Sequence, residues 1–209
     1  MNSLDVLLNK AVLQSIQDTL DKERLRRIEV HLHGHGLMVS EMLSRFGELR
    51  KSLFEFEHDF EKIEDVILKN FLTTEEQHSE TWLVIGNRAL TELVLKTFAD
   101  EDKKMILDFT RNRPETIPRI LSLCNLPNTS GYRKVKQLID DGFVIPTGMS
   151  ETFEGRRALL YKSIIQKAQV YINKNEITAK ILVPKEILCS SMIVKTIMEI
   201  NEGRRTLAN

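Results

Sequence analysis

The sequence has little cysteine and no long apolar run. Its 209 residues include only two cysteines, Cys124 and Cys189, which lie far apart and outside any CxxC pair. This pattern excludes a disulfide scaffold and favours a reducing, cytoplasmic location. No apolar run reaches 18 residues, and residues 1–10 lack the basic and apolar segments of a signal peptide. We therefore expect a cytoplasmic protein without a membrane partner.

Catalytic and cofactor-binding motifs are also missing. The chain contains no GxGxxG, GxxxxGKS/T, HExxH or GxSxG motif. These patterns hold phosphates, metal ions or activated nucleophiles at fixed spacings. We therefore expect a protein that is not an enzyme and carries no cofactor.

The balanced net charge conceals an asymmetry. Lysine plus arginine and aspartate plus glutamate both number 30, but residues 1–98 carry a net charge of −5 and residues 99–209 a net charge of +5. Within residues 111–136, six basic side chains accompany one acid, Glu115: Arg111, Arg113, Arg119, Arg133, Lys134 and Lys136. Such a basic cluster in a neutral protein indicates a surface for a polyanion, or else a solvated helix face.

Apolar spacing predicts helices in the first part of the chain. Residues at helical spacings are Leu4, Leu7, Leu8, Val12, Ile16 and Leu20. Further helices are predicted over 21–32, 38–46 and 56–71. These form an N-terminal helical bundle over residues 1–72, expected to be an input or interaction domain. Residues 73–98 are predicted to be a polar start followed by a connecting helix from Trp82.

Residues 99–166 have the pattern of a winged helix-turn-helix. Asp100 caps a first helix, Pro114 precedes a second, and a break at Asn125 precedes a third helix that stops at Gly142. Strands at 143–145 and 158–162 flank an exposed loop. Three short helices followed by a β-hairpin with a basic loop predict this fold.

The C-terminal residues, 167–209, predict a β-hairpin and a helix. Alternating apolar residues on both sides of residues 173–175 indicate the hairpin, and Pro184 opens the helix. This segment is expected to brace the winged helix or to dimerise it. The predicted fold class is therefore mainly α, of the α+β type: a helical bundle, a winged helix-turn-helix, and a terminal hairpin with its helix.

The third central helix is predicted to read DNA. Val135, Leu138 and Ile139 form its inner face, and Gly131 allows close approach to the preceding helix. Its outer side chains suit phosphates and base edges in a major groove. The predicted DNA-binding residues, including two from the wing, are Asn128, Thr129, Ser130, Tyr132, Arg133, Lys134, Lys136, Arg156 and Arg157.

Two segments resemble known families. Residues 113–145, RPETIPRILSLCNLPNTSGYRKVKQLIDDGFVI, resemble the winged-helix domains of archaeal regulators akin to the arsenical-resistance-repressor family. The segments LLNKAVLQSIQDTL and DFEKIEDVILKNF resemble the helical Nitrosopumilus output domain of ammonia-oxidising archaea. Together these resemblances imply an archaeal transcriptional regulator that binds double-stranded DNA as a homodimer, with an effector or protein partner at its N-terminal domain.

Two alternative functions stay open at this stage. The winged helix could serve as an assembly module of a protein-interaction adaptor. His31, His33 and His35 could instead belong to a metal-responsive sensor, because neutral imidazoles bind zinc, nickel and copper. The competing interpretation of the histidines is an exposed turn that ends a helix. Cys124 lies on an apolar stripe and is interpreted as a core residue, because the thiol pair of arsenical sensors is absent.

Overall fold

The structure is a computed structural model that describes residues 3–36, 51, 55–56, 68, 71–151, 157–174 and 176–207. Within these residues it has a mixed α+β architecture of eight helices and two antiparallel sheets. The helices are α1 (Ser3–Thr19), α2 (Lys22–Gly34), α3 (Arg88–Ala99), α4 (Glu101–Asn112), α5 (Ile117–Leu123), α6 (Asn128–Asp140), α7 (Lys185–Ser190) and α8 (Met192–Leu207). The strands are β1 (Leu72–Gln77), β2 (Glu80–Ile85), β3 (Val144–Glu151), β4 (Arg157–Ser163), β5 (Lys167–Asn173) and β6 (Glu176–Leu182).

The larger sheet joins two hairpins that are distant in sequence. Its strand order is β1-β2-β6-β5, so β2 pairs with β6 almost 100 residues further along the chain. Trp82 lies opposite Leu182, and Ile85 lies opposite Ala179. The predicted C-terminal hairpin is confirmed as β5–β6. Its partner hairpin, β1–β2, was not predicted.

The connecting helix predicted over 73–98 is wrong in its first half. Residues that were expected to form a polar start and a helix from Trp82 form β1 and β2, and the helix α3 begins only at Arg88. The turn between the strands holds His78 and Ser79 at φ values of 52° and 65°. Two positive φ values are typical of the tight turn that matches the twist of a hairpin. Without a glycine there, the sequence carries no conventional turn signal.

One hydrophobic core runs through all described parts of the chain. Helix α1 packs against α3, α7 and α8, and its Leu4 and Leu8 belong to the same buried cluster as Leu138 of α6 and Ile197 of α8. The first predicted helix is therefore confirmed, but α1 is not confined to a separate N-terminal bundle. The helices predicted over 38–46 and 56–71 fall largely outside the described residues.

A buried carboxylate of α1 fixes the start of α8. Asp5 accepts hydrogen bonds from the Ser191 hydroxyl and from the backbone N–H groups of Met192 and Ile193. The Ser191 oxygen in turn accepts from Val194 N–H at 3.1 Å. These bonds satisfy donors that a helix start leaves unpaired. They also explain why the single C-terminal helix predicted from the sequence is divided at Ser191 into α7 and α8.

Gly142 allows α1 to contact the end of α6. Its φ is +81°, and a Cβ atom added there would lie 2.6 Å from the backbone nitrogen of Leu7. Beside it, the Lys10 ammonium contacts the Asp141 carboxylate at 2.6 Å. The position therefore needs glycine both for its left-handed backbone and for the closeness of the neighbouring helix.

We expect Gly142→Ala to lower the free energy of unfolding by at least about 2 kcal/mol, because it adds left-handed strain to a backbone clash. Gly148→Ala is the matched control, since a Cβ there meets no atom within 4 Å. The control should change stability by no more than about 0.5 kcal/mol. Urea unfolding of both variants measures the difference. Equal stabilities would contradict the tight α1 contact.

Candidate nucleic-acid interface

Helix α6 ends in a well-defined cap. The N–H of Gly142 donates to the carbonyl of Ile139 at 3.0 Å, and the N–H of Phe143 donates to the carbonyl of Leu138 at 2.9 Å. With Gly142 in the left-handed region, this pair of bonds forms a Schellman motif. Phe143 is buried beside the helix end. The chain therefore leaves α6 in a fixed direction and enters β3.

The inner face of α6 is the one predicted from the sequence. Gly131, Val135 and Leu138 are buried, and Ile139 packs against the core. A Cβ atom at Gly131 would lie 2.5 Å from a methyl group of Leu121 in α5. The prediction that Gly131 brings α5 and α6 close together is confirmed.

The outer face of α6 presents most of the predicted DNA-binding side chains. Asn128, Thr129, Tyr132, Arg133 and Lys136 are exposed. Ser130 is half-buried, and its hydroxyl lies 3.4 Å from the carbonyl oxygen of Pro127. Among the described residues, no side-chain hydrogen bond caps the N-terminus of α6. The face combines hydroxyl, amide, phenol and cationic groups on one rigid surface.

Lys134 differs from its neighbours. Its ammonium lies 2.6 and 2.8 Å from the two carboxylate oxygens of Asp100 and 2.9 Å from Asp102, and its side chain is only 19% exposed. Burial disfavours the charged form of Lys134, but the hydrogen bonds that its ammonium donates to the two carboxylates outweigh this effect and raise the pKa of Lys134. Lys134 therefore joins α6 to the start of α4. The DNA contact predicted for it stays a prediction.

Ion pairs divide the basic cluster into two halves. Arg111 pairs with Asp108, and Arg113 pairs with Glu115. Lys134 pairs with Asp100, which precedes α4, and with Asp102 in its first turn. Within the part of the chain that the structure describes, Arg119, Arg133 and Lys136 have no carboxylate within 4.0 Å. Arg119, on α5, belongs to the basic cluster but not to the predicted site residues. These three cations supply the uncompensated positive charge.

Strands β3 and β4 form the second part of the candidate interface. They pair antiparallel, as expected for a hairpin arm, and the pairing register shifts between Pro146 and Gly148. Tyr161 of β4 also exchanges backbone hydrogen bonds with Glu115, at 2.8 and 3.0 Å. This bridge fixes the arm beside the segment that leads into α5. Arg157 is exposed at the start of β4, and the predicted Arg156 lies outside the described residues.

The histidine run lies at the end of α2. His31 is half-buried, and its ring stacks on Phe56 at 4.2 Å between centroids. His35 follows four residues later, with its ring 4.7 Å from that of His31, while His33 is exposed. In the described ranges no group of three or more histidine, cysteine or carboxylate side chains could hold a metal ion. The structure thus brings two of the three predicted histidines together and places the helix end at Gly34.

The two cysteines have different surroundings. Cys124 is buried in the core beside α6, which confirms its interpretation as a core residue. Burial, with a smaller contribution from Asp102, raises the pKa of its thiol to about 11. A thiol with such a pKa is a poor nucleophile at neutral pH. Cys189 is exposed on α7.

The chain matches no family model, no curated protein and no solved structure. In the described residues, no helix has both the length and the apolar character to cross a bilayer. The two family resemblances stay predictions.

We expect Lys134→Met to lower the free energy of unfolding by roughly 1–2 kcal/mol at pH 7, because Asp100 and Asp102 then lose their shared cation. Lys104→Met is the control, because its ammonium forms only an exposed pair with Glu101 at 3.9 Å. That variant should cost no more than about 0.5 kcal/mol. Urea unfolding distinguishes the two, and a similar small cost for both would contradict the bracing role.

The difference between wild type and Lys134→Met should depend on pH. Burial raises the pKa of Asp100, but its hydrogen bonds, above all with Lys134, outweigh this and hold that pKa below its usual value. A carboxyl whose pKa is lower in the folded than in the unfolded protein stabilises the fold at pH values above its unfolded pKa. This contribution is lost as the pH falls through its folded pKa. The stability difference should therefore shrink as pH falls below about 4. A difference that persists unchanged at a pH of about 2.5 would contradict this pairing.

Proposed function

We propose that this protein is a DNA-binding transcriptional regulator that inserts α6 into the major groove of double-stranded DNA. The observation that carries the proposal is the division of α6 into a buried apolar face and an outer face on which Arg133 and Lys136 form no ion pair with any described residue. A groove-reading helix needs both faces, because its back must pack on the protein while its front offers donors.

The order of the central elements supports a winged-helix arrangement. Helix α4, the bridging residue Glu115, helices α5 and α6, and the β3–β4 arm follow one another along the chain. The isolated bridge between Glu115 and Tyr161 holds the β3–β4 arm beside the segment that leads into α5. In this arrangement the arm flanks the recognition helix and reaches the sugar–phosphate backbone beside the occupied groove.

Each outward side chain then has a chemical role. Arg133 and Lys136 bind phosphates or guanine edges, and Asn128 is suited to an adenine edge. Thr129, Ser130 and Tyr132 add hydroxyl contacts, and the uncapped start of α6 offers backbone N–H groups to a phosphate. Arg157 and its neighbour Arg156 extend the positive charge to the wing. In this proposal Lys134 positions α6 through its ion pairs with Asp100 and Asp102.

The contact between α1 and Gly142 offers a route for regulation. Helix α1 touches the residue at which α6 ends, so a partner or effector that moves α1 changes the direction in which α6 is held. We propose that the N-terminal region acts as the input and that the protein binds two-fold operator sites as a homodimer. Residues of α1 and α6 belong to one buried cluster, which would make this coupling direct.

The Arg133→Ala/Lys136→Ala double variant tests the DNA-binding proposal. Duplexes selected by the wild-type protein from a random pool serve as probes, and affinity is measured by fluorescence anisotropy at several salt concentrations. If both cations bind phosphates, the slope of log affinity against log salt should become less negative by about 0.9 for each phosphate that is no longer neutralised. If Arg133 instead reads a base, discrimination at one position should relax by about 1–3 kcal/mol.

Lys185→Ala/Lys195→Ala is the matched control, since it removes the same charge from exposed positions of α7 and α8. The control should keep the wild-type affinity and slope. Equal reductions of affinity in both double variants would point to net charge alone and not to α6. A wild-type protein that selects no duplex would favour the adaptor function, in which the winged helix binds protein.

A further inference from the structure

Two histidines of the run at the end of α2 lie side by side. His31 belongs to the last turn of the helix, and His35 is its C-cap residue. Residues four apart are neighbours on a helix surface, whereas residues two apart do not face each other. The ring centres of His31 and His35 accordingly lie 4.7 Å apart, with their planes inclined by 60°. His33, between them in sequence, is exposed on another side of the helix.

The spacing of the two rings suits a single metal ion. Neutral imidazoles bind Zn²⁺, Ni²⁺ and Cu²⁺ through a ring nitrogen, at a distance of about 2.0–2.1 Å for zinc. Rings whose centres are 4.7 Å apart are close enough for one nitrogen of each to reach a common ion. Because the planes are inclined and not parallel, the rings do not stack on each other, and their edges can converge. Water molecules or further donors would complete the coordination shell.

Phe56 holds the ring of His31 in place. The two rings stack with their centroids 4.2 Å apart and their planes inclined by only 23°. Stacking covers a face of the imidazole, whereas a metal ion binds at its edge, so the two contacts are compatible. A ring that is already held loses less rotamer freedom when it binds, which lowers the ordering cost. His31 is half-buried and His35 is exposed, so an ion from solution can reach the pair from the side of His35.

The position of the pair on the helix favours a cation. A helix carries partial negative charge at its C-terminal end, where both histidines lie. Arg27 precedes His31 by one turn on the same side of α2, so it lies on the far side of His31 from His35. Its side chain is exposed, and solvent and salt therefore screen its repulsion of a bound ion.

We propose that His31 and His35 form a two-histidine binding site for a divalent transition-metal ion. Cu²⁺ should bind more tightly than Ni²⁺ or Zn²⁺, as is general for sites with nitrogen ligands. Mg²⁺ prefers oxygen ligands and should not bind. The site uses no residue of the proposed DNA-binding face, so this inference stands independently of the proposed function.

The His35→Asn variant tests this site. Asparagine is well tolerated at the C-terminal end of a helix, and the exchange removes one imidazole from an exposed position. His33→Asn is the matched control, because it makes the same exchange at an exposed position two residues earlier. The untagged full-length proteins are titrated with CuCl₂, NiCl₂ and MgCl₂ by isothermal titration calorimetry. Pulsed electron paramagnetic resonance of the Cu²⁺ complexes counts the coordinated imidazoles.

The wild-type protein should bind one Cu²⁺ ion through two imidazoles. His35→Asn should weaken the affinity for Cu²⁺ and Ni²⁺ by at least about tenfold, because loss of a direct ligand costs no less than loss of a residue that orients one. The variant should also show one coordinated imidazole fewer, while the control keeps the wild-type affinity and count. Absence of binding, equal losses in both variants, or a response to MgCl₂ as strong as that to NiCl₂ would overturn the site. Each of these results leaves the DNA-binding proposal intact.

Discussion

The contact between Gly142 and the backbone of Leu7 is the constraint on which the arrangement of this protein depends. It lies between the end of α6 and the start of β3, where Leu7 of α1 approaches the chain. The left-handed glycine closes the Schellman motif and thereby sets the exit angle of the chain, while its missing side chain lets α1 approach. The end of α6, the base of the hairpin arm and one contact of α1 therefore meet at this residue.

The charges of the central segment perform two separate tasks. Lys134 is held by Asp100 and Asp102 and fixes the helix against its neighbour, whereas Arg133 and Lys136 stay available on the outer face. A structural ion pair beside a free cationic face keeps that face rigid, because the helix cannot rotate without breaking the pair. Such rigidity lowers the ordering cost of binding and favours recognition of a shaped surface.

The sequence predicts some parts of this structure well and others poorly, for physical reasons. The limits and inner face of α6 follow from apolar spacing and from Gly142, which are local signals. The β1–β2 hairpin is missed because His78 and Ser79 replace the glycine expected in such a turn, and because β1 exposes nearly all its side chains. The ion pairs of Lys134 with Asp100 and Asp102 are not predicted, because helical spacing gives only the face of α6 on which Lys134 lies. The folded structure is needed to show that its ammonium reaches Asp100. The place of α1 depends on partners more than 130 residues away.

The hydrogen bonds of Asp5 to Ser191 and Ile193 join positions 186 and 188 residues apart. During synthesis on the ribosome, α1 emerges long before the helix whose start it completes. The carboxylate of Asp5 has no hydrogen bonds from Ser191, Met192 and Ile193 until the start of α8 has been synthesised. Helix α6 and the β3–β4 arm are therefore complete before α1 has all its partners. The chain consequently gains its full packing only late in translation, so nascent chains that stop before residue 191 lack the final support for the α1 contact with Gly142.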